Sequence, residues 1–455
     1  MSPGRRQTFR ELHDRVGSLA AGLTRHGFAA GDRLAMLLPN EVEYLEIIYA
    51  CAWLGVIVVP LNTRLSTAEI DHILTDARPR GLIRHSTLPV PTVAVEQQLV
   101  LDQEPLAAQL DAHPPSIYDP DAVLALIYTS GTTGRPKGVA LTHANVLANL
   151  DHVNYWMPYK EGGVYLHAAP IFHIADFPFM FGSPAFGSAQ VTIPKFSPQA
   201  FCEAVERERV TQTVLVPTMI NLLTQFPALG DYDLSSLKQI GYGGSPIAPE
   251  LIHRTRTVLP NRQLIQVYGL TETGFLTGLR DQDHTEARLT SCGRPCPGIE
   301  VRIVDESGKG VETGKPGEVV ARGANVSRGY WNNPDETARA FRDGLFRTGD
   351  IGYQDADGYV YLLDRLKDMI VTGGENVYSG EVEAVIYTHA AVREVAVFGV
   401  PDPKWGEIVK AIVVLKAGKR LTVDELIAYC RRSLCSAESR KGQCLREAEF
   451  FRRSV

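Results

Sequence analysis

The chain has 455 residues, with 46 Lys and Arg against 52 Asp and Glu, for a formal net charge of −6. The two signs are interspersed, so no broad cationic face is offered and nucleic acid is excluded as an expected partner. The longest uncharged apolar run, residues 47–59, is shorter than the roughly 20 residues that cross a bilayer, and the start MSPGRRQTFRELHDRV has no apolar signal core. A cytoplasmic α/β protein is expected, long enough for one large domain and a smaller one. Seven cysteines form no CxxC pair; Cys292 and Cys296 in SCGRPC lack a second Cys/His pair at zinc spacing, which leaves structural thiols.

Phe9, Leu12, Val16, Leu19 and Leu23 recur at three- and four-residue steps and predict an amphipathic helix that Gly27 ends. Asn40 and Glu43 have capping-box spacing before a second helix, Gly55 closes it, and VIVVP reads as a buried strand. The strand AVLALIYT then enters the loop YTSGTTGRPKG (128–138) and the strand-like GVALTH leaves it, with Thr142 placed to cap the helix that follows. FCEAVERERV leads into TVLVP, and PELIHRTRTVL into QLIQVYG, so helix and buried strand keep alternating and glycine-rich loops follow the strands. From Val301 the texture changes to short alternating strands, with DADG joining two of them as a hairpin. Beyond Asp364 come the loop DRLKDMIVTGGENVYSG, a helix EVEAVIYTH, strands VREVAVFGV and KAIVVLK, and a helix VDELIAYCRRSL, an α+β unit of its own. The expected division is 1–363 and 364–455.

The 128–138 loop concentrates hydroxyls, glycines and Lys137, a set of backbone N–H groups, side-chain donors and positive charge that suits a polyphosphate; a solvated turn is the alternative. It is not a Walker A loop, because no Gly-Lys in the chain is followed by Ser or Thr. It reads instead as a hairpin tip.

YTSGTTGRPKG resembles the phosphate loop of the acyl-adenylate-forming superfamily, and GYGGSPIAPE, VYGLTETG, FRTGDIGY and DRLKDMIVTGGENVYSGEVE follow in the family's order. The resemblance covers nearly the whole chain and is strongest to acyl-CoA synthetases for fatty and aryl acids. It implies a large N-terminal α/β domain with a β-rich subdomain, binding ATP and acid, and a small mobile α+β C-terminal domain. Thr129, Ser130, Gly131, Thr132, Thr133, Gly134 and Lys137 would wrap the phosphates, and Glu272, beside Thr271, would hold magnesium. Gly243, Gly244 and Ser245 would lie under the adenine, with Tyr268 and Gly269 beside it. Asp350 and Arg365 would take the ribose, and His173 would gate the acid. Lys367 would be the hinge that brings Gly373, Gly374, Glu375 and Asn376 to coenzyme A and the adenylate.

Read without the resemblance, Tyr268 and His173 are as readily core groups, and Asp350 is a common turn residue. Phe172, Phe177, Phe179, Phe181 and Tyr242 suggest an aromatic-lined acid pocket or, equally, core packing. The tail departs from the family: after Leu434 the chain reads CSAESRKGQCLREAEFFRRSV, without strand alternation and without the P-x-T-x-x-G-K lysine, and Lys441 is not assigned that role. The N-terminus is shorter than the family's by about one small unit, so part of the first subdomain's sheet is expected to be missing. The expected function is ATP-dependent formation of acyl-CoA from an apolar monocarboxylate, fatty or aromatic, with magnesium and coenzyme A and with slowed adenylation. The alternatives are an adenylating enzyme that feeds a carrier protein, and a weakened nucleotide- or acyl-binding protein.

Overall fold

The computed structural model describes residues 5–102, 119–130, 136–372, 375–403, 405–434 and 449–453. They divide into two compact units, one of residues 1–301 and 321–346, the other of residues 302–320 and 347–455. Asp364 therefore lies inside the second unit, and the packing divides near residue 301, where the sequence changes texture.

In the first unit, helix α1 (Phe9–Arg25) is opened by a Thr8–Glu11 capping box and ends at His26, with Gly27 at φ +78°. Helix α2 (Val42–Leu54) closes on left-handed Gly55 but has no side-chain cap. The expected Asn40 cap is corrected: its amide donates to the Ala169 carbonyl (2.7 Å) and accepts from the Ile171 N–H (3.0 Å). A buried amide answering two distant backbone groups cannot also serve the nearby helix end.

Strands β1 (Arg33–Leu37), β2 (Ile57–Pro60), β3 (Gly81–Arg84), β4 (Gln97–Val100), β5 (Val123–Ser130) and β6 (Pro136–Thr142) form one sheet in the order β4-β3-β1-β2-β5-β6. All its pairings are parallel except β5 with β6, which make the expected hairpin. A second sheet runs in the order β13-β12-β11-β10-β9-β7-β8, from β7 (Val164–His167), β8 (Ala189–Thr192), β9 (Gln212–Leu215), β10 (Gln239–Gly243), β11 (Gln263–Leu270), β12 (Gly274–Leu279) and β13 (Ser291–Pro295). From β8 to β11 the pairing is parallel, and the strands are buried along most of their length, as their apolar runs require. Helix α3 (Thr67–Ala77) precedes β3, and α4 (His143–Trp156) follows β6, capped by Thr142 as expected.

β14 (Glu300–Val304), β15 (Gly317–Arg322), β17 (Leu345–Gln354) and β18 (Val360–Arg365), most of whose residues belong to the second unit, are neighbours in that order; β16 (Phe341–Arg342), in the first unit, pairs with the start of β17. The DADG turn joins β17 to β18, with the Asp355 carboxylate accepting from the N–H groups of Asp357 and Tyr359. A last sheet comprises β19 (Ile370–Thr372), β20 (Glu375–Val377), β21 (Val392–Asp402), β22 (Gly406–Leu415) and β23 (Glu449–Arg453). One expectation is corrected here: the stretch read as a loop contains the short β19–β20 pair. The tail, read as lacking strand alternation, nonetheless supplies β23, parallel to β22. Pairing at a sheet edge is a backbone matter, and it tolerates a segment without alternation. Cys51, Cys202, Cys292, Cys296 and Cys430 are buried and form no disulfide; burial pushes the Cys202 and Cys296 thiols up to about 12 and Cys430 to about 11. No helix among the described residues is long and apolar enough to cross a membrane.

Candidate functional site

The β5–β6 hairpin places Thr129 opposite Lys137 and Ser130 opposite Pro136. Gly131, Thr132, Thr133 and Gly134 lie outside the described residues. The base of the hairpin is pinned by Tyr128, whose hydroxyl donates to Asp76 (2.5 Å). A Cβ on Gly138 would come within 2.9 Å of the Tyr128 ring, so the close approach needs glycine. On its other side β6 is flanked by residues 329–331: the Trp331 N–H donates to the Gly138 carbonyl (2.7 Å), the Ala140 N–H donates to the Gly329 carbonyl (3.1 Å), and Tyr330 bridges to Val139.

That flank puts Tyr330 beside Lys137. The Lys137 ammonium lies 5.3 Å from the centre of the Tyr330 ring and is paired with the Glu336 carboxylate, whose other oxygen accepts from Arg339 (2.5 Å). The neighbouring ammonium holds the Glu336 carboxyl below the usual carboxylate range. The Tyr330 hydroxyl donates to Glu272 Oε1 at 2.7 Å. Burial first, and then the Glu272 carboxylate, raise its pKa, so it stays a donor. Lys137 and Glu272, far apart in sequence, thus converge across one tyrosine. The sequence reading missed Tyr330 and Glu336; the aromatic run GYW ahead of NNPDE was the available signal.

Glu272 sits with Thr271 in the turn between β11 and β12 and is 8% exposed. Three asparagines shape this region. The Asn149 side chain accepts from the Phe275 N–H (2.9 Å), Asn325 donates to the carbonyls of Thr273 (2.6 Å) and Phe275 (3.0 Å), and Asn145 donates to those of Ala324 (2.8 Å) and Val326 (3.0 Å). The Ser327 N–H donates to the carbonyl of Glu272 itself (2.7 Å). Gly274, at φ +56°, lies so close that a Cβ would fall 1.9 Å from the Asn149 amide nitrogen. Asn145 and Asn149 are four apart on α4, a spacing visible in THANVLANL but not read as functional.

Gly243 and Tyr268 lie at the carboxyl ends of the adjacent parallel strands β10 and β11, where Gly243 pairs with Val267. A Cβ on Gly243 would meet the Val267 carbonyl at 2.2 Å; Gly244 and Ser245 beyond it are exposed, and Gly269 abuts the carbonyl of Gly274. Tyr268 is 8% exposed. His173 is held in a turn by the carbonyl of Pro170, which accepts its N–H (3.1 Å). Although solvent reaches it, the protein crowded around its ring, and then the charge of Arg64, hold its pKa below the usual histidine value. Asp176, at the end of the same turn, is fully buried and accepts from the Tyr165 hydroxyl and from His167 Nδ1, both at 2.7 Å.

The expected aromatic pocket is corrected. Phe177 and Phe181 pack in the core beside α2, Phe179 packs with Trp156 and Phe275, and Tyr242 belongs to a third cluster. The Tyr242 hydroxyl is bonded to His284 Nε2 (2.8 Å), and His284 Nδ1 donates to the Arg280 carbonyl. Apolar rings on alternating and helical positions fill separate cores here and do not line one wall.

In the second unit Asp350 and Arg365 are register partners across β17 and β18, with Arg365 Nε 3.3 Å from Asp350 Oδ1. Lys367 is exposed in the turn after β18, and Asn376 is exposed on β20 opposite Val371. Glu375 begins β20, while Gly373, Gly374 and Lys441 lie outside the described residues.

No group of three or more His, Cys, Asp or Glu side chains among the described residues could hold a metal by itself. Glu272 is a single buried carboxylate, and one carboxylate fits magnesium that arrives with phosphate oxygens and keeps its waters.

The family model for AMP-binding enzymes matches residues 1–331, and the model for the AMP-binding enzyme C-terminal domain matches residues 381–446. The second match runs past Leu434, which corrects the expectation that the resemblance stops there. The chain is 41% identical over 433 residues to the feruloyl-CoA synthase of Amycolatopsis sp, covering 94% of this chain and 87% of the relative. It is 35% identical over 449 residues to the fatty acid–[acyl-carrier-protein] ligase ScoC of Streptomyces coeruleorubidus, covering 95% and 86%. Among solved structures, o-succinylbenzoate coenzyme A synthetase of Bacillus subtilis in complex with ATP and magnesium ion matches with a TM-score of 0.87 at 31% identity, covering 99% of this chain and 92% of that one.

Proposed function

The chain belongs to the AMP-binding enzyme family, and from that membership we propose that it activates an apolar monocarboxylate, an aromatic acid of the ferulate class ahead of medium- and long-chain fatty acids. It is an acyl-CoA synthetase, an acid–thiol ligase working through an acyl-adenylate with ATP, magnesium and coenzyme A. The observation that carries the acid class is the 41% identity, over nearly the whole chain, to a feruloyl-CoA synthase.

The chemistry follows from charge. A carboxylate oxygen attacks the α-phosphorus of ATP and pyrophosphate leaves; a thiol then attacks the acyl carbon and AMP leaves. The first step brings an anion up to a polyanion, so neutralisation and positioning supply most of the catalysis. In the proposed arrangement Thr129, Ser130 and Lys137 hold the β- and γ-phosphates, Gly243, Gly244 and Ser245 admit the adenine edge, and Asp350 with Arg365 takes the ribose hydroxyls. Glu272 would hold magnesium, which offsets phosphate charge when bound. His173 is kept neutral by its surroundings, so its ring can lie near the incoming carboxylate as a donor without forming an ion pair with it.

The proposal extends to a mobile domain of residues 364–455 turning about Lys367, with the loop from Gly373 to Asn376 admitting the thiol arm, and to action in the cytoplasm. The absence of a P-x-T-x-x-G-K lysine from residues 435–455 supports slow adenylation relative to thiol transfer. Pyrophosphate release from free acid as fast as thioester formation from preformed acyl-adenylate would remove that element.

A panel of ferulate, cinnamate, decanoate and malonate with ATP, magnesium and coenzyme A, read as AMP and thioester, tests the reading. Equal amounts of the two products, largest with the aromatic acids, are expected. A preference for malonate sinks the acid class. The carrier-protein ligase among the relatives supports the second reading, an enzyme that loads a carrier. Acyl transfer to a phosphopantetheinylated carrier, with none to coenzyme A, would select it.

A further inference from the structure

We infer that Tyr330 is a positioning residue for adenylation, holding Lys137 against its ring and Glu272 through its hydroxyl so that the two groups keep a fixed separation. The inference rests on the proposed roles of Lys137 and Glu272, and it adds a residue that neither the motifs nor the comparisons assign.

The geometry comes from the backbone first. Gly329 has φ +142°, and a Cβ there would meet the Thr337 side chain at 2.4 Å, so the approach to Tyr330 follows a path only glycine takes easily. The Tyr330 N–H donates to Thr337 Oγ1 (3.0 Å), and Thr337 Oγ1 donates in turn to the Asn333 carbonyl (2.8 Å). The bridge to Val139 fixes Tyr330 against the strand that carries Lys137, and Phe341 packs edge-on against its ring at 6.2 Å. A ring locked on these sides offers two handles. Its face lies 5.3 Å from the Lys137 ammonium, within the reach of a cation–π attraction. Its hydroxyl donates to one oxygen of a buried carboxylate, which sets the orientation of that carboxylate.

The hydroxyl is the informative atom. A tyrosine serving only to fill space would need no polar partner, and a phenylalanine would do as well. Here the O–H orients Glu272, while the ring limits where the lysine can go when the Glu336 partner is exchanged for phosphate.

The test compares Tyr330→Phe, which deletes one oxygen and keeps the packing, with Tyr330→Leu, which deletes the ring face too. For Tyr330→Phe, the magnesium concentration giving half-maximal pyrophosphate release should rise about tenfold, with KM for ATP at saturating magnesium unchanged, as loss of one hydrogen bond to a charged group implies. Tyr330→Leu should also raise KM for ATP. Thioester formation from synthetic acyl-adenylate and coenzyme A should be unaffected in both. Unaltered magnesium dependence in Tyr330→Phe, or an equal fall in both half-reactions, overturns the inference. If Tyr330→Leu does not fold, the Tyr330→Phe magnesium titration decides alone. Lys137→Ala and Glu272→Gln separate the two levels. If these leave the ATP and magnesium dependences as they were, the reading of the site falls and the inference with it. If they impair adenylation and Tyr330→Phe does not, only the inference falls.

Discussion

At the scale of single residues, Glu336 decides what state Lys137 is in before nucleotide arrives. The pair is largely buried, with side-chain exposures of 10% and 16%, so its attraction is less screened than that of a surface pair. A triphosphate brings several negative charges to the ammonium and must displace or repel this carboxylate. Glu336→Gln should therefore lower KM for ATP, by about three- to tenfold on the scale of one partly buried ion pair, with kcat little changed. A rise in KM would show that Glu336 helps hold Lys137 in its working position. Sequence alone made Lys137 legible, because glycines, hydroxyls and a cation in one loop suit phosphate chemistry. Glu336 was not legible, since its partner lies 199 positions away and only the strand pairing of residues 329–331 brings the two together.

At the scale of elements, the turn between β11 and β12 depends on a helix and a segment remote from it in sequence. Asn149 satisfies the buried N–H of Phe275, and Asn325 satisfies two carbonyls of the same turn. Asn149→Ala leaves a buried donor unpaired and should cost roughly 1–3 kcal/mol, read as a fall in thermal midpoint with weaker magnesium dependence of pyrophosphate release. An unchanged midpoint would remove the asparagine from this role. Gly274→Ala should destabilise the wild-type chain, where the new methyl would strike Asn149, and cost less in the Asn149→Ala background. The strands and helices themselves were readable from periodicity, including the β5–β6 hairpin and the DADG turn. What periodicity did not show was the use of buried amides as distant braces. Asn40 is the clearest case: its spacing to Glu43 suited a cap, yet its side chain answers the backbone near Ala169 and Ile171. Capping signals are local, and a buried amide is claimed by whichever unpaired backbone groups the fold brings to it.

At the scale of the whole molecule, the chain divides by packing near residue 301, and Lys367 lies within the second unit, in an exposed turn. If that turn is the hinge between half-reactions, restricting its φ should affect one half-reaction alone. Lys367→Pro should leave pyrophosphate release intact and slow thioester formation at least tenfold, as loss of a conformational step between the two implies. Equal loss of both would point to damage in place of restricted rotation. The family and its fold were legible because five motifs stand in order; the acid was not, because four of the five aromatic residues that suggested a pocket, Phe177, Phe179, Phe181 and Tyr242, are shared among three cores. Trp331, whose N–H is tied to Gly138 and whose ring lies 5.7 Å from the Arg33 guanidinium, adjoins the tyrosine that spans the site. With only four indoles in the chain, this one makes the protein its own optical gauge: a change in emission on mixing with ATP, lost in Trp331→Phe, would time nucleotide arrival without any dye.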